Sequence, residues 1–148
     1  MVQKYKFGHL RAAARPLARE MLKTFNEFSP DKLDYLVVPV PTATSRARQR
    51  GFGHSELLAR TVAAKQRLAY VPALRRLGQS RQLGAKREDR LIQLADSFAV
   101  KLPHRVKGQN ILLVDDVLTT GGTLIAAAKT LRAAGAARID ALVFAKRR

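Results

Sequence analysis

One short segment, residues 111–123, constrains the fold of this chain more than any other. It consists of four apolar residues, two acidic residues, and a turn rich in threonine and glycine that opens a helical pattern. A short, continuous apolar run with β-branched residues predicts a strand buried on both faces of a parallel sheet. Ligands of open α/β sheets bind at the carboxyl ends of the strands. The segment therefore predicts an open, mainly parallel twisted sheet flanked by helices, with the acidic residues at its ligand-binding edge.

The polar half of this segment indicates the ligand. Adjacent carboxylates at Asp115 and Asp116 supply acceptors for two neighbouring hydroxyl groups, which suits the vicinal diol of a ribose. The turn that follows offers backbone N–H groups, hydroxyls and a helix N-terminus, all of which favour a phosphate. We therefore predict a ribose 5-phosphate pocket. A simpler interpretation, in which one aspartate caps the next helix, explains one acid and one glycine but not the whole pattern.

Three other sites with similar sequences fit less well. A Walker A loop requires Gly-Lys-Ser/Thr, and a Rossmann fingerprint places its acidic residue after the glycines rather than before them. A response-regulator receiver domain also begins with an apolar strand that ends in two aspartates. Only 32 residues follow Asp116, which leaves too little chain for the rest of a receiver domain.

Residues 111–123 closely resemble the phosphoribosyl-pyrophosphate (PRPP) binding motif of type I phosphoribosyltransferases. The resemblance implies that Asp115 and Asp116 contact the ribose hydroxyls. It also implies that the 5′-phosphate is held by Thr119, Thr120, Gly121, Gly122 and Thr123.

The pyrophosphate group of PRPP needs positive charge, because Asp115 and Asp116 would repel it. Arginines cluster in the loop after the first predicted strand, and a longer basic loop follows later in the chain. Either loop is also compatible with a solvated surface. The candidates for pyrophosphate binding or for a loop that closes over the ligand are Arg46, Arg48, Arg50, Gly51, Lys86, Arg87 and Arg90. The candidate catalytic residues are Arg50 and the two aspartates.

A second resemblance is narrower and covers about residues 35–145. Its motifs are similar to those of the ComF family, which is linked to bacterial DNA uptake. They comprise Val-Pro-Val-Pro at 38–41, Arg-x-Arg-Gly-Phe at 48–52, Glu-Leu-Leu-Ala at 56–59, Gln82 with Arg90, and Phe98. The chain departs from the family at Gly53-His54, where Asn-Gln is usual, and at Gln93, where Asn is common. It also lacks the cysteine-rich zinc module that often precedes this domain.

Composition bounds the other expectations. The absence of cysteine excludes disulfides, thiolate metal sites and thiol catalysis, and the three histidines lack ligand spacing, so we expect no zinc. The net charge of +17 favours anionic partners, although a solvated arginine-rich surface explains it equally well. With no apolar run of membrane-spanning length and no signal peptide, we expect a cytoplasmic protein.

Two functions remain open at this stage. The first is an enzyme that transfers phosphoribosyl from PRPP to a nitrogen acceptor. The second is a non-catalytic module, which either senses PRPP or a nucleotide, or binds nucleic acid or a competence partner. The resemblance implies Mg²⁺ bound together with PRPP, and a homo-oligomer is compatible with either function. We expect a single phosphoribosyltransferase-like domain over residues 1–148, with a helical N-terminal segment at 1–34 and a core at 35–148.

Hydrophobic periodicity and turn residues predict the elements. Pro16 is expected to kink or restart the first helix, and Gly135 to end the last one. Helices are expected at residues 8–28, 55–68 and 124–134, strands at 36–41, 71–74, 97–100, 111–114 and 139–144, and a loop at 78–90.

Overall fold

The structure, a computed structural model, describes residues 11–28, 34–41, 53–77, 98–118 and 121–146. In chain order its elements are α1 (Arg11–Phe28), β1 (Tyr35–Pro39), α2 (His54–Gln66), β2 (Ala69–Tyr70), β3 (Leu74–Arg76), β4 (Phe98–Val100), α3 (Pro103–Val106), β5 (Asn110–Leu118), α4 (Gly122–Ala133) and β6 (Arg138–Lys146). The alternation of helices and strands is that of an α/β protein, as expected.

A four-stranded sheet forms the centre of the described structure, in the order β2-β1-β5-β6. Every neighbouring pair in this sheet is parallel. Strand β1 pairs with β5 from Tyr35 opposite Asn110 to Pro39 opposite Val114. Strands β3 and β4 form a separate antiparallel pair. The prediction of a mainly parallel sheet flanked by helices is therefore confirmed.

Both faces of the central strands are buried, because successive side chains of a strand point to opposite faces. On one face, Val37 and Leu112 pack with α1 and α2. On the other face, Val38 and Leu113 pack with α4, α3 and the β3–β4 pair. Residues 111–114 are all at most 1% exposed, as the continuous apolar run predicts. This two-sided core leaves the carboxyl ends of β1 and β5 as the place where polar side chains meet.

Several elements differ from the sequence expectations. Residues 71–74, expected to form one strand, mostly connect β2 to β3: Val71 still donates its N–H to the Val37 carbonyl, at 3.0 Å, before the chain leaves the sheet. Helix α1 runs through Pro16 without a break. Strands β5 and β6 both extend beyond their expected ends. The short helix α3 forms where we expected only a proline-containing turn.

The end of α4 matches its sequence signal. Gly135 adopts a φ of +98°, a left-handed conformation that favours glycine. Its N–H donates to the Arg132 carbonyl, and the Ala136 N–H donates to the Leu131 carbonyl, as in a Schellman motif.

Neither α1 nor any other helix among the described residues combines the length and apolar character that a bilayer span requires.

Candidate functional site

The two aspartates lie inside β5 rather than after it. The strand continues through both residues to Leu118. Its pairing with β1 ends at Val114, whose carbonyl accepts the Val40 N–H at 2.9 Å. From Asp115 onward only β6 flanks the strand among the described residues. The two acidic side chains consequently lie where β1 ends, at the carboxyl edge of the sheet, as the sequence predicted.

Asp115 is a buried carboxylate with defined partners. Its residue is only 8% exposed. One oxygen, Oδ1, accepts hydrogen bonds from the Ser55 hydroxyl at 2.7 Å and from the Asp116 backbone N–H at 2.8 Å. Burial raises the pKa of Asp115 to about 6, the negative charge of Asp116 adds to this shift, and the Ser55 hydrogen bond opposes it. The geometry thus fixes Oδ1 with two hydrogen-bond donors, one from α2 and one from the β5 backbone.

Asp116 contacts a histidine. Its Oδ2 lies 3.4 Å from Nδ1 of His54, whose side chain is 4% exposed, whereas that of Asp116 is 17% exposed. The Asp116 carboxylate therefore has one side against a buried imidazole and retains a solvent-accessible part through which a ligand can approach.

Both contacts come from the first turn of α2. His54 and Ser55 are the first two residues of this helix, and Gly53 is its N-cap. A helix N-terminus carries a partial positive charge, which reduces the electrostatic cost of placing two carboxylates side by side. Neither residue was predicted from the sequence to hold the aspartates. A signal was present, since the helix after the β1 loop must begin at the same edge of the sheet as the end of β5.

The glycine turn leads into a second helix N-terminus. Gly121 is the N-cap of α4 and adopts a φ of +81°, which favours glycine at this position. No side chain in the described part of the chain caps this helix, whose first turn includes Gly122 and Thr123. The first N–H groups of a helix have no partners within it, so such a terminus is suited to an anion.

Other predicted site residues lie outside the described residues. They are Arg46, Arg48, Arg50, Gly51, Lys86, Arg87, Arg90, Thr119 and Thr120. The structure thus brings together the two aspartates, and it adds Ser55 and His54 to them. Within the described ranges, no cluster of three or more acidic or histidine side chains is arranged to hold a metal ion.

Comparison with known proteins assigns the family. The sheet, the acidic pair and the glycine turn are those of a phosphoribosyltransferase-type domain, and the sequence model of the phosphoribosyl transferase domain family matches residues 12–148. The chain belongs to this family, and within it to the ComF type, as the following similarities show.

The chain is 31% identical over 136 residues to competence protein ComFC of Bacillus subtilis strain 168, covering 92% of this chain and 54% of that protein. It is 30% identical over 147 residues to DNA utilization protein YhgH of Salmonella typhimurium strain LT2, covering 95% of this chain and 63% of that protein. The chain thus spans between half and two thirds of the length of these relatives. The ComF resemblance seen in the sequence motifs is confirmed.

A solved structure with a similar fold is the glutamine PRPP amidotransferase of B. subtilis complexed with ADP and GMP. It superposes with a TM-score of 0.61 at 20% sequence identity, covering 88% of this chain and 26% of that one. At this identity the similarity shows the fold and no more. It confirms the predicted type I phosphoribosyltransferase-like architecture.

Proposed function

We propose that this chain binds a phosphorylated ribose, either ribose 5-phosphate or PRPP, at the carboxyl edge of its sheet. The observation that supports this most is the fixed pair of carboxylates on β5, held from one side by the first turn of α2. Asp115 Oδ2 and the Asp116 carboxylate would accept hydrogen bonds from the two ribose hydroxyls. The N-terminus of α4 would receive the 5′-phosphate, because a helix N-terminus favours an anion and Gly121 leaves room for a close approach.

Catalysis of phosphoribosyl transfer is the further step of this proposal. A C1–N bond would form to the acceptor while the bond from C1 to the pyrophosphate oxygen breaks, through a transition state in which the ribose carries positive charge. The Asp115–Asp116 pair would orient the ribose. Arginine side chains such as Arg50 would stabilise the pyrophosphate leaving group, and Mg²⁺ bound together with PRPP would supply further positive charge there.

Calorimetry with ribose 5-phosphate and with PRPP, each with and without Mg²⁺, tests the binding proposal. We expect both ligands to bind, PRPP more tightly with Mg²⁺, and Asp116→Asn to weaken both about 10-fold or more through loss of a charged hydrogen bond. Asp140→Asn is a matched control, because Asp140 lies at the opposite end of the sheet and contacts Tyr35 and Arg138. If neither ligand binds the wild-type protein, the proposal is wrong.

A non-catalytic function on nucleic acid is the second candidate, and the net charge of +17 favours it. Relatives of this chain are named for competence and for DNA utilization. We propose a role in DNA handling for this chain on those grounds. An assay of pyrophosphate release from PRPP with a panel of purine and pyrimidine bases separates the two functions. Release with any base supports a phosphoribosyltransferase. PRPP binding without release with any base supports the non-catalytic function.

A further inference from the structure

His54 is the feature of the site that the proposed function does not yet use. It is the first residue of α2 and is only 3% exposed. Its Nδ1 is directed at Asp116 Oδ2, across 62 residues of sequence. The next residue, Ser55, makes the equivalent contact to Asp115. Two consecutive residues of α2 therefore each contact one member of the carboxylate pair.

The donor side of the Ser55 contact is fixed by chemistry, because a hydroxyl has a proton to donate and an ionised carboxylate has none. The same reasoning applies to His54. A neutral imidazole carries its proton on one nitrogen only, and the hydrogen bond that it makes determines which. An unprotonated Nδ1 would direct a lone pair at the carboxylate, which is unfavourable in a buried site.

We infer that His54 is a positioning residue for Asp116, with its proton held on Nδ1 and donated to Asp116 Oδ2. With Ser55, it forms a pair of donors on α2 that sets the spacing and orientation of the two carboxylates. Asp116 is then a pre-oriented acceptor for one ribose hydroxyl, since the imidazole occupies one oxygen and directs the other. This last step rests on the proposed ribose binding, while the proton assignment does not.

The surroundings of His54 support a donor rather than a second acceptor. Among the described residues, the carboxylate of Asp116 lies 3.4 Å from its Nδ1. Glu56, on its own helix, is paired with Arg60 at 2.9 Å on an exposed surface. The core between α1, α2 and β1 is formed by apolar side chains such as Leu17, Leu58 and Val37. Among the described neighbours, the carboxylate of Asp116 is the acceptor that Nδ1 meets.

Nitrogen-15 NMR of the imidazole rings tests the proton assignment without any ligand. At a pH where the ring is neutral, we expect the His54 signals to show the Nδ1–H tautomer in the wild-type protein and to lose this preference in Asp116→Ala. His104, an exposed histidine on α3, provides the internal reference in the same spectra. An Nε2–H tautomer for His54, or a tautomer unchanged by Asp116→Ala, would overturn the inference.

Binding of ribose 5-phosphate then tests the positioning role. Asparagine carries an N–H group near the place of Nδ1, whereas leucine has a similar size and no donor. We expect His54→Asn to bind within about 3-fold of wild type and His54→Leu about 10-fold more weakly, the loss of one hydrogen bond to a charged group. The control variant His104→Asn should bind as wild type does.

The outcomes separate the two proposals. Wild-type binding that His54→Leu leaves unchanged would overturn the positioning role and leave ribose binding intact. Absence of wild-type binding would refute the proposed function, and the NMR result would still decide the His54–Asp116 contact. If His54→Leu fails to fold, the tautomer and the His54→Asn affinity decide the question.

Discussion

The contact between Ser55 and Asp115 shows how single residues shape this site. A buried carboxylate loses its hydration, and each hydrogen bond that it accepts offsets part of the free-energy cost of that loss. Asp115 accepts two such bonds on Oδ1, yet its pKa is still raised to about 6. Desolvation and the charge of Asp116 together therefore outweigh the two hydrogen bonds, and the site holds its charge at a cost to stability.

Removal of the Ser55 hydroxyl should destabilise the protein. For Ser55→Ala we expect the free energy of unfolding at pH 7.5 to fall by about 1.5–3 kcal/mol, the cost of losing a hydrogen bond to a charged group. Urea unfolding followed by circular dichroism measures it. In the control Thr61→Val, the lost hydroxyl bonds only the Leu57 carbonyl of its own helix, so the change should be much smaller. Equal losses in the two variants would contradict the prediction.

The raised pKa of Asp115 predicts a pH-dependent stability. Between its ordinary pKa of 3.8 and about 6, the folded protein keeps a proton that the unfolded chain has lost. The contribution of Asp115 to the free energy of unfolding is thus fully present below pH 3.8. It is lost as the pH rises through 6, and the total loss is about 3 kcal/mol. Asparagine mimics the protonated form at every pH. Relative to wild type, Asp115→Asn should therefore gain about 2.5 kcal/mol between pH 4 and 7, because a small part of the wild-type loss has already occurred at pH 4.

Urea titrations of both proteins at pH 4, 5, 6 and 7 measure this difference. A difference between wild type and Asp115→Asn that stays constant over this range would show that Asp115 titrates alike in the folded and unfolded states.

The sequence identified half of the described site at this scale. Asp115 and Asp116 were predictable because a buried apolar strand is followed directly by two acids, a local pattern. His54 and Ser55 were not assigned, because their contacts join residues about 60 positions apart and depend on where α2 begins in space. The sequence signal for them is topological: a helix that follows a strand in a parallel sheet starts near the carboxyl end of that strand.

At the scale of elements, α2 contains a conformation that its sequence does not favour. Arg67 ends this helix with a φ of +53°, in the left-handed region. The chain there forms the hydrogen bond from the Leu68 N–H to the Ala63 carbonyl, at 2.9 Å, that typically accompanies a glycine. The turn leads the chain from α2 into β2.

Glycine at this position should stabilise the protein. For Arg67→Gly we expect the free energy of unfolding to rise by about 0.5–1 kcal/mol, since the left-handed strain of a side-chain-bearing residue exceeds the extra entropy that glycine loses on folding. Arg67→Ala is the matched control, because it removes the same charge and keeps the strain. Thermal unfolding of the three proteins measures the effect. A gain of the same size in Arg67→Ala would show that charge, and not conformation, is responsible.

The long elements were predictable, whereas among the short ones β4 was predicted and β2, β3 and α3 were not. The apolar stripe of α1 and the buried run of β5 each contain enough residues for periodicity to be recognised. The stretch around residues 69–76 contains too few, and its apolar residues gave one expected strand where the structure has two. Tertiary contacts decide the outcome there: β2 pairs with β1, and β3 leaves the sheet to pair with β4.

At the scale of the whole molecule, the two-sided hydrophobic core and the net positive charge have separate roles. The core holds the carboxyl ends of β1 and β5 together, and so positions a site that carries two negative charges. The net charge of +17 is carried by the chain as a whole. A phosphorylated ribose would contact a few residues at one edge, whereas a nucleic acid would be attracted by many. Charge variants placed in different regions can therefore distinguish the two ligands.

Two triple variants of equal charge make this comparison. One replaces Arg46, Arg48 and Arg50 by glutamine, and the other replaces the exposed Arg15, Arg19 and Arg132 on α1 and α4. If total charge governs DNA binding, both should weaken it to a similar extent, and affinity should fall steeply with added salt, each phosphate contact contributing about 0.9 to the slope of log K against log salt. The first variant alone should weaken PRPP binding.

Fluorescence anisotropy with a labelled duplex, measured between 50 and 200 mM salt, provides the DNA affinities, and calorimetry provides those for PRPP. A salt-dependent loss of affinity in both variants would indicate attraction by the overall charge of the protein. A loss of affinity only in the loop variant, which changes Arg46, Arg48 and Arg50, would indicate local contacts. DNA binding that is insensitive to salt would exclude the electrostatic mechanism. Loss of DNA binding in the loop variant alone would instead locate the DNA on the PRPP edge, and PRPP should then compete with it.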